Sequence, residues 1–558
     1  MERREFLNMG LLSVGGVLIG PEFTYAETLK EISDSLHNTS GFYDLVINGA
    51  GMAGFYAAIE ASKRGLKVLI LDKRTSPGFD IAGKRRLWLN TNGIREWDDA
   101  MIDLFCPEGE RNEIGEPALS GVARSCYKNE LLLFAGSLKK GMLRSLLVNG
   151  IDVLLMTDIW GVVVDNQNQV CGVTIASKHG LYFVSCGSFL DVSDGSLFTR
   201  GVLGLAYEIK EAGFVVELEG VSPECPNILS VDTSWGISDN CVKLHKGKKF
   251  PDQYLLEFRF RVSTNDLSCI ERQARLLAAE IGKRLPELSP FLSESKIRYW
   301  ALESSLSVVG DIDETMFPKG YHMFTAPEIY TDCEDLSSLY VNMRKVTGMM
   351  PRYHNDRKGK FVIYVGGKTV FACGDVVRED GFKLPLYDYI PKRLSVTEEN
   401  VPLLIAGGGT AGTAAALGAM RKGMTPLVVE YFNDLGGTKT VGGVSSYYFG
   451  FKDHKLIKEL EVQIKSVADT YHLKTTIPRS FYFLKKLSEA GNSVIHGAIV
   501  CNVSMKGRSV DSVLLCENGR LRRIFARLVV DATGDGDIAY FAGAKYKMGD
   551  SRMGITQN

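Results

Sequence analysis

Two short, unbroken apolar runs, each followed by glycines and a small-residue stretch, set the pattern of this chain. The later one, Leu403 to Ala406, is short enough for a strand buried in a parallel sheet. It runs into Gly407-Gly408-Gly409-Thr410-Ala411-Gly412, then an Ala-rich helical stretch to Arg421 with Gly423 as its stop. A second strand, Pro426 to Val429, ends on Glu430. Tyr43 to Arg74 has the same order: strand, Gly49-Ala50-Gly51-Met52-Ala53-Gly54, helix, Gly65, strand, Asp72. In both stretches the acid follows the first glycine by 23 residues and the helix-ending glycine follows it by 16, which predicts two copies of one unit.

The pattern continues downstream. Residues 145–176 read as alternating strands around an Asn-Gln turn, and Ser188 to Gly195 as a strand running into a turn. In the second copy, strands near Ser493–Val503 and Ser512–Cys516 lead to the corresponding strand end, Arg527 to Asp537. Leu256 to Val262 alternates, which predicts a half-solvated strand with Leu256, Phe258, Phe260 and Val262 on its apolar face. Cys269 to Leu285 predicts an amphipathic helix with a solvated charged face.

Strand, glycine turn, helix, strand and acid, in that order, make a dinucleotide-binding βαβ frame. Gly407 permits the sharp turn, Gly409 lets a pyrophosphate approach the backbone, and Gly412 lets helix and strand pack closely. The helix start at Thr410 and Ala411 offers free N–H groups and the positive end of the helix dipole. Glu430 is suited to accept hydrogen bonds from a ribose diol. The matching candidates in the first copy are Gly49, Gly51, Met52, Ala53, Gly54 and Asp72.

Composition narrows the function. A net charge of −1 over 558 residues gives no electrostatic case for nucleic acid or an anionic membrane surface. The 11 cysteines are scattered without a Cys-x-x-Cys, which argues against a disulfide framework, and the 8 histidines lack metal-ligand spacing. No metal site is expected. At the N-terminus, Arg3-Arg4-Glu5-Phe6-Leu7 precedes an apolar run from Met9 to Ile19, and Thr24-Tyr25-Ala26 offers small residues before a cut at Glu27. This resembles a twin-arginine export signal, with Asn8 in place of the usual Lys. It predicts a periplasmic or otherwise exported protein that folds before export and keeps no stable membrane span once the signal is removed.

Residues 401–547 are similar to an FAD-dependent oxidoreductase family, distantly like the fumarate reductase flavoproteins. Three motifs carry the resemblance: Gly407 to Gly412, Leu435-Gly436-Gly437-Thr438-Lys439-Thr440-Val441-Gly442-Gly443, and Asp531-Ala532-Thr533-Gly534-Asp535-Gly536-Asp537. It implies FAD as cofactor, with the adenosine on Glu430. It also implies Gly436, Gly437 and Thr438 along the pyrophosphate, and Ala532, Thr533, Gly534 and Asp535 at the adenine-ribose end. The first copy departs from the family, with Pro77 to Arg86 in place of Gly-Gly-Thr and Asp191-Val192-Ser193-Asp194 as its second motif. Gly366 to Asp375 resembles the Ala-x-Gly-Asp segment that closes many FAD domains, which would put Gly374 and Asp375 against the flavin; it also reads as a plain strand and turn. The family runs on well past its Asp-Ala-Thr-Gly-Asp motif, so a fragment is the simpler expectation for a sequence ending at Asn558.

The expected fold class is α/β, with tandem Rossmann-like FAD-binding domains and an inserted α+β substrate region. The expected division is a signal segment 1–26, a linker 27–42, a divergent first unit 43–204, an inserted region 205–345, a return to the first unit 346–380, a connection 381–400 and an incomplete second unit 401–558. The expected activity is two-electron redox chemistry on a small organic substrate, with an electron acceptor or donor the sequence does not name. Two other readings stay open: a reductase holding FAD in one unit and NAD(P) in the other, or a first unit that is a scaffold or sugar-binding module. No catalytic residue announces itself. Arg352 and His354, in the polar stretch Pro351 to Asp356, suit a carboxylate anchor or proton carrier and equally a surface loop. Lys439, Tyr447 and Tyr448 follow the Gly-Gly turn toward the flavin, although tyrosines also suit sheet packing. Arg85-Arg86 is either a phosphate-neutralising or a solvated pair.

Overall fold

The two apolar runs each lie between parallel neighbours, as unbroken hydrophobic strands require. Leu45–Asn48 pairs with Val68–Leu71 on one side and Ser188–Asp191 on the other. Leu403–Ala406 pairs with Pro426–Val429 and with Leu528–Asp531. A computed structural model of the protein describes residues 36–90, 130–165, 168–247, 252–326, 333–352, 362–365, 368–372, 387–390, 396–444, 454–491 and 494–547. The signal segment, His354, Gly374, Asp375, Tyr447 and Tyr448 lie outside the described residues.

Three large sheets organise the chain. The first has ten strands, in the order 368–372, 362–365, 387–390, 157–165, 170–177, 180–191, 36–48, 68–71 and 152–154, with Tyr321–Met323 laid parallel on Phe189–Asp191. The second is a six-stranded antiparallel sheet built on Glu208–Glu219, with the helix Leu267–Lys283 packed on it. The third has six strands, in the order 494–496, 426–430, 396–406, 520–531, 509–517 and 498–506. In the first and third sheets, a helix follows the first strand and returns antiparallel to it, Met52–Lys63 and Thr410–Met420 respectively.

Several sequence expectations are revised. Ala135–Val148 is a helix, not the start of alternating strands, because Leu138, Met142 and Leu146 are buried at four-residue spacing. The strand that begins at Leu36 takes part of the stretch read as linker, and 387–390 and 396–400, within the stretch read as a connection, are strands too. The insertion gives way to the first unit well before residue 345: Tyr321–Met323 joins the first sheet, and Leu339 and Met343 of the helix Cys333–Gly348 pack in the first-unit core. That strand takes the position beside 180–191, while Lys368–Ala372 sits at the outer edge of the sheet. Tyr254–Phe258 is buried on both faces, because Trp88 packs on Leu255 and Arg86 Nη1 donates to Glu257 at 2.8 Å, while Arg259 and Arg261 keep the polar face half-solvated as the alternation predicts. Arg85 likewise pairs with Glu217 at 2.8 Å, so this arginine pair serves the inserted sheet rather than a solvated face.

The charged face of Leu267–Lys283 is also not solvated at its centre. Arg275 is fully buried, with Nη1 on Glu271 at 2.6 Å, Nη2 on the Leu302 carbonyl at 3.0 Å and Nε 3.6 Å from Asp434. It ties the insertion to the third sheet, and removing such a partner strands buried carboxylates at a cost of about 3–5 kcal/mol. Other links between the sheets are the Asp158 carboxylate accepting from Gly519 N at 2.9 Å, Lys73 Nζ donating to Asn518 at 2.6 Å, and the Tyr431 hydroxyl donating to the Lys73 carbonyl.

His496 sits in this seam, its N–H donating to Ser268 at 2.9 Å and its ring Nδ1 3.2 Å from the Phe432 carbonyl. Burial, then the nearby Arg275, pushes its pKa down to about 3. The native state therefore holds the ring neutral while the unfolded chain protonates it near pH 6.5. From this group, stability is full above pH 6.5 and falls by about 1.4 kcal/mol per pH unit below it, down to the folded pKa. His496→Gln is expected to flatten that part of the stability profile in urea unfolding between pH 7 and pH 5; an unchanged slope would contradict it.

Candidate functional site

The site grows from the start of the helix Thr410–Met420. Gly407 turns the chain at φ 98°, and a Cβ there would overlap the Ala532 carbonyl oxygen; a Cβ on Gly412 would overlap the Gly407 carbonyl oxygen. These two glycines press the helix start against the strand ends. The first N–H groups of a helix have no intrahelical acceptor. Among the described residues, the Ala411 N–H has no partner, the Thr410 N–H faces the Gly436 carbonyl across the bridge between Gly409 and Gly436, and Gly409 at the N-cap supplies no side chain.

Opposite them lies the Gly-Gly turn. Gly436 N donates to the Gly408 carbonyl at 2.8 Å and Thr410 Oγ1 to the Gly436 carbonyl at 3.0 Å. Gly437 approaches so closely that a Cβ there would come within 2.9 Å of Gly409 Cα. Between the turns opens a cleft of ≈ 850 Å³, within the range of small-molecule and cofactor sites. Gly407, Gly409, Thr410, Ala411, Glu430, Gly437, Thr438, Ala532, Thr533 and Gly534 line it. Gly412 and Gly436 stand behind the lining.

The acids have fold roles first. Glu430 Oε2 accepts from Gly408 N at 2.6 Å and Oε1 from Phe432 N at 2.9 Å, which leaves lone pairs on both oxygens. Burial pushes its carboxyl above the usual range against those N–H donors. Asp531 caps the turn after its strand, accepting from Thr533 N at 3.2 Å and Ala539 N at 2.9 Å. Asp535 is 76 % exposed and pairs with Lys178 from the first sheet.

Three lining residues, Thr75, Met156 and Lys178, come from the first unit, and Ala498 to Val500 close the far wall. Sequence spacing carries no signal for the first three, because only the docking of the units brings them there. Tyr431 and Phe432 also line the cleft; their position directly after the acid is a legible cue. Lys439 is buried in the turn Gly437–Lys439 outside the lining. Arg352 lies against Gly65, at the far end of the helix Met52–Lys63 from its glycine turn.

In the first unit a similar frame is present. Asp72 accepts from Ala50 N at 2.7 Å and Arg74 N at 2.8 Å, and Asp191 from Ser193 N at 3.0 Å and Thr199 N at 2.9 Å. Gly49, Gly51, Ala53 and Asp72 line a crevice of only ≈ 30 Å³ there, with Met52 and Gly54 behind them. Among the described residues no cluster of three His, Cys, Asp or Glu is placed to hold a metal, and no helix is long and apolar enough to cross a membrane.

The close approach at Gly437 yields a test. Gly437→Val is expected to weaken binding of ADP, the moiety shared by dinucleotides, by about 10–100-fold, the equivalent of a 1–3 kcal/mol overpacking penalty. Calorimetric titration against the parent chain reads this directly, and equal affinities would remove the cleft from consideration.

Comparison with known proteins agrees with the geometry. The family model described as FAD dependent oxidoreductase matches residues 44–209 and 402–558. A digeranylgeranylglycerophospholipid reductase from Methanocella arvoryzae is 29% identical over 166 residues, 27% of this chain and 39% of that protein. An opine oxidase polypeptide from Agrobacterium tumefaciens is 48% identical over 54 residues, 10% of each chain. The chain thus spans well under half the length of these relatives. A geranylgeranyl bacteriochlorophyll reductase-like protein from Thermoplasma acidophilum aligns in structure at 15% identity and a TM-score of 0.37, over 55% of this chain and 77% of that one. Matched by the family model over more than half its length, the chain belongs to the FAD dependent oxidoreductases, and its cofactor is FAD.

Proposed function

We propose that the protein is an exported flavoenzyme whose FAD lies in the cleft between Gly407–Gly412 and Gly436–Thr438, and that it carries out two-electron chemistry on a small organic substrate. The observation that carries this reading is the facing of the helix start at Thr410 and Ala411, where the Ala411 N–H has no partner among the described residues, by a glycine-lined wall at Gly437, across a cleft of ≈ 850 Å³. The residues fit the group. The helix start and its dipole suit the pyrophosphate, the spare lone pairs of Glu430 suit a ribose, and the small residues Ala532, Thr533 and Gly534 leave room beside it. Bound there, the isoalloxazine supplies the exchange of an electron pair, while the protein supplies binding and orientation.

The finer architecture is part of the proposal: tandem Rossmann-like units that arose by duplication, a second copy distantly like the fumarate reductase flavoproteins, and a substrate region inserted in the first. The repeated acid and cap geometry supports it. The relatives include both reductases and an oxidase, so the direction of electron flow is left to experiment. The Arg3-Arg4 segment supports export of the folded, loaded protein.

Purified protein is expected to be yellow and to release free FAD on heating. Expressed with residues 1–26 in a bacterium with twin-arginine export, it should reach the periplasm beginning at Glu27, and lysines in place of Arg3 and Arg4 should retain it in the cytoplasm. Colourless protein that takes up no FAD would refute the cofactor site; unchanged export of the lysine variant would refute the route.

A further inference from the structure

At equal spacing from their acids, the two crevices differ in what lines them. The seventh residue after the acid is Gly437 in the second copy and Phe79 in the first; the eighth is Thr438 in the second and Asp80 in the first. The backbone frame is shared. Gly78 N donates to the Ala50 carbonyl at 2.8 Å, as Gly436 N does to Gly408, and both turn glycines are left-handed, at φ 71° and 100°.

On that frame the Asp80 side chain reaches the helix start. Its Oδ2 accepts from Met52 N at 2.8 Å and its Oδ1 from Ile81 N at 3.1 Å. Met52 is the counterpart of Thr410, whose N–H faces the Gly436 backbone carbonyl across the bridge between Gly409 and Gly436, with no side chain reaching it. A Cβ on Gly51 would come within 2.7 Å of the Asp80 carboxylate, so the space that Gly409 leaves open in the second copy is filled in the first.

Two more exchanges close the crevice. Asp194 stands where the second copy has Gly534, and Lys84 where it has Gly442. Lys84 Nζ donates to Asp194 at 3.0 Å, and Arg74 pairs with Asp194 and, at 2.8 Å, with Glu303 of the inserted region. Burial opposes the charge on Arg74, yet Glu303, Asp194 and Asp72 hold its pKa well above the ordinary value; Lys84 and Arg74 in turn hold Asp194 low against burial. What remains is ≈ 30 Å³, room for about one water.

We propose that Asp80 is an internal substitute for the phosphate, and that the first crevice takes no dinucleotide, so the chain binds a single FAD. The contrast rests on the assignment of FAD to the second cleft. The carboxylate supplies the anion that a helix N-terminus favours, and the Arg74–Asp194–Lys84 network fixes the first unit as a wall of the site rather than a second site.

Hydrogen exchange on the full chain, read peptide by peptide with and without FAD, tests this. Protection is expected on FAD addition across residues 407–413 and none across 49–55, with about one FAD per chain released on heating. Protection across 49–55, or two FAD per chain, would overturn the inference while leaving the flavin reading intact. No response at 407–413 would refute the flavin reading, and inorganic pyrophosphate then decides the first crevice independently. The Asp80→Gly variant is expected to gain pyrophosphate-dependent protection across 49–55 that the parent lacks; an equal response in the parent would overturn the inference.

Discussion

A helix that begins at the buried end of a parallel strand must find acceptors for its first N–H groups, and the rest of this structure is arranged around that demand. The glycine turns fix the problem in place. Gly54 and Gly412 allow each helix start to sit directly on the preceding turn, so no side chain of the turn itself is available to cap it. The acceptor has to come from across the crevice. In the second unit the opposite wall is backbone, at Gly436 and Gly437, and a ligand can fill the gap. In the first unit the opposite wall carries a carboxylate. One local constraint, met in two ways, distinguishes two halves that otherwise share register, acid and cap.

The wall of the second cleft is held from outside. Between Glu430 and the Gly-Gly turn, the loop touches both other parts of the molecule: the Tyr431 hydroxyl donates to the Lys73 carbonyl, and Asp434 accepts from Trp300 Nε1 at 2.9 Å and from Ser480. Arg275 approaches the same carboxylate from the inserted region. The loop that shapes the cleft is therefore clamped by groups far away in sequence, and its geometry is set before any ligand arrives, as tight binding of a large cofactor favours. The same seam buries His496, so protonation in the unfolded chain is linked to the packing of the site.

The frame is legible in the sequence because it is local. Strand, turn, helix and acid are written in contiguous residues whose spacing is fixed by one helix length, and Gly407, Gly412, Glu430 and Asp531 sit where that spacing demands. What is not legible depends on docking. The charges of Glu271 and Arg275 repeat with the period of a solvated helix face, yet they are buried against Asp434 and Leu302. Leu256 to Val262 alternates like a half-exposed strand, and is one at Arg259 and Arg261, yet Arg86 covers its polar side at Glu257. Ala135–Val148 escapes a reading by pattern because its last residues, Leu146, Leu147 and Val148, run unbroken toward the strand pattern that follows. Thr75, Met156 and Lys178 reach the second cleft only because the first unit lies beside it.

The two acids of each copy show why a fingerprint alone is a limited guide to cargo. Asp72 and Glu430 both hold the glycine turn by accepting the N–H of its second residue, and Asp191 and Asp531 both accept an N–H eight residues further on. Those bonds maintain the fold whether or not anything is bound, so such residues persist equally in a crevice that binds and in one that does not. The residues that decide are those of the opposite wall: a glycine or a phenylalanine at the seventh position after the acid, a threonine or an aspartate at the eighth. A side chain there either leaves the helix N-terminus to a guest or satisfies it from within, and the volume of the crevice follows from that choice.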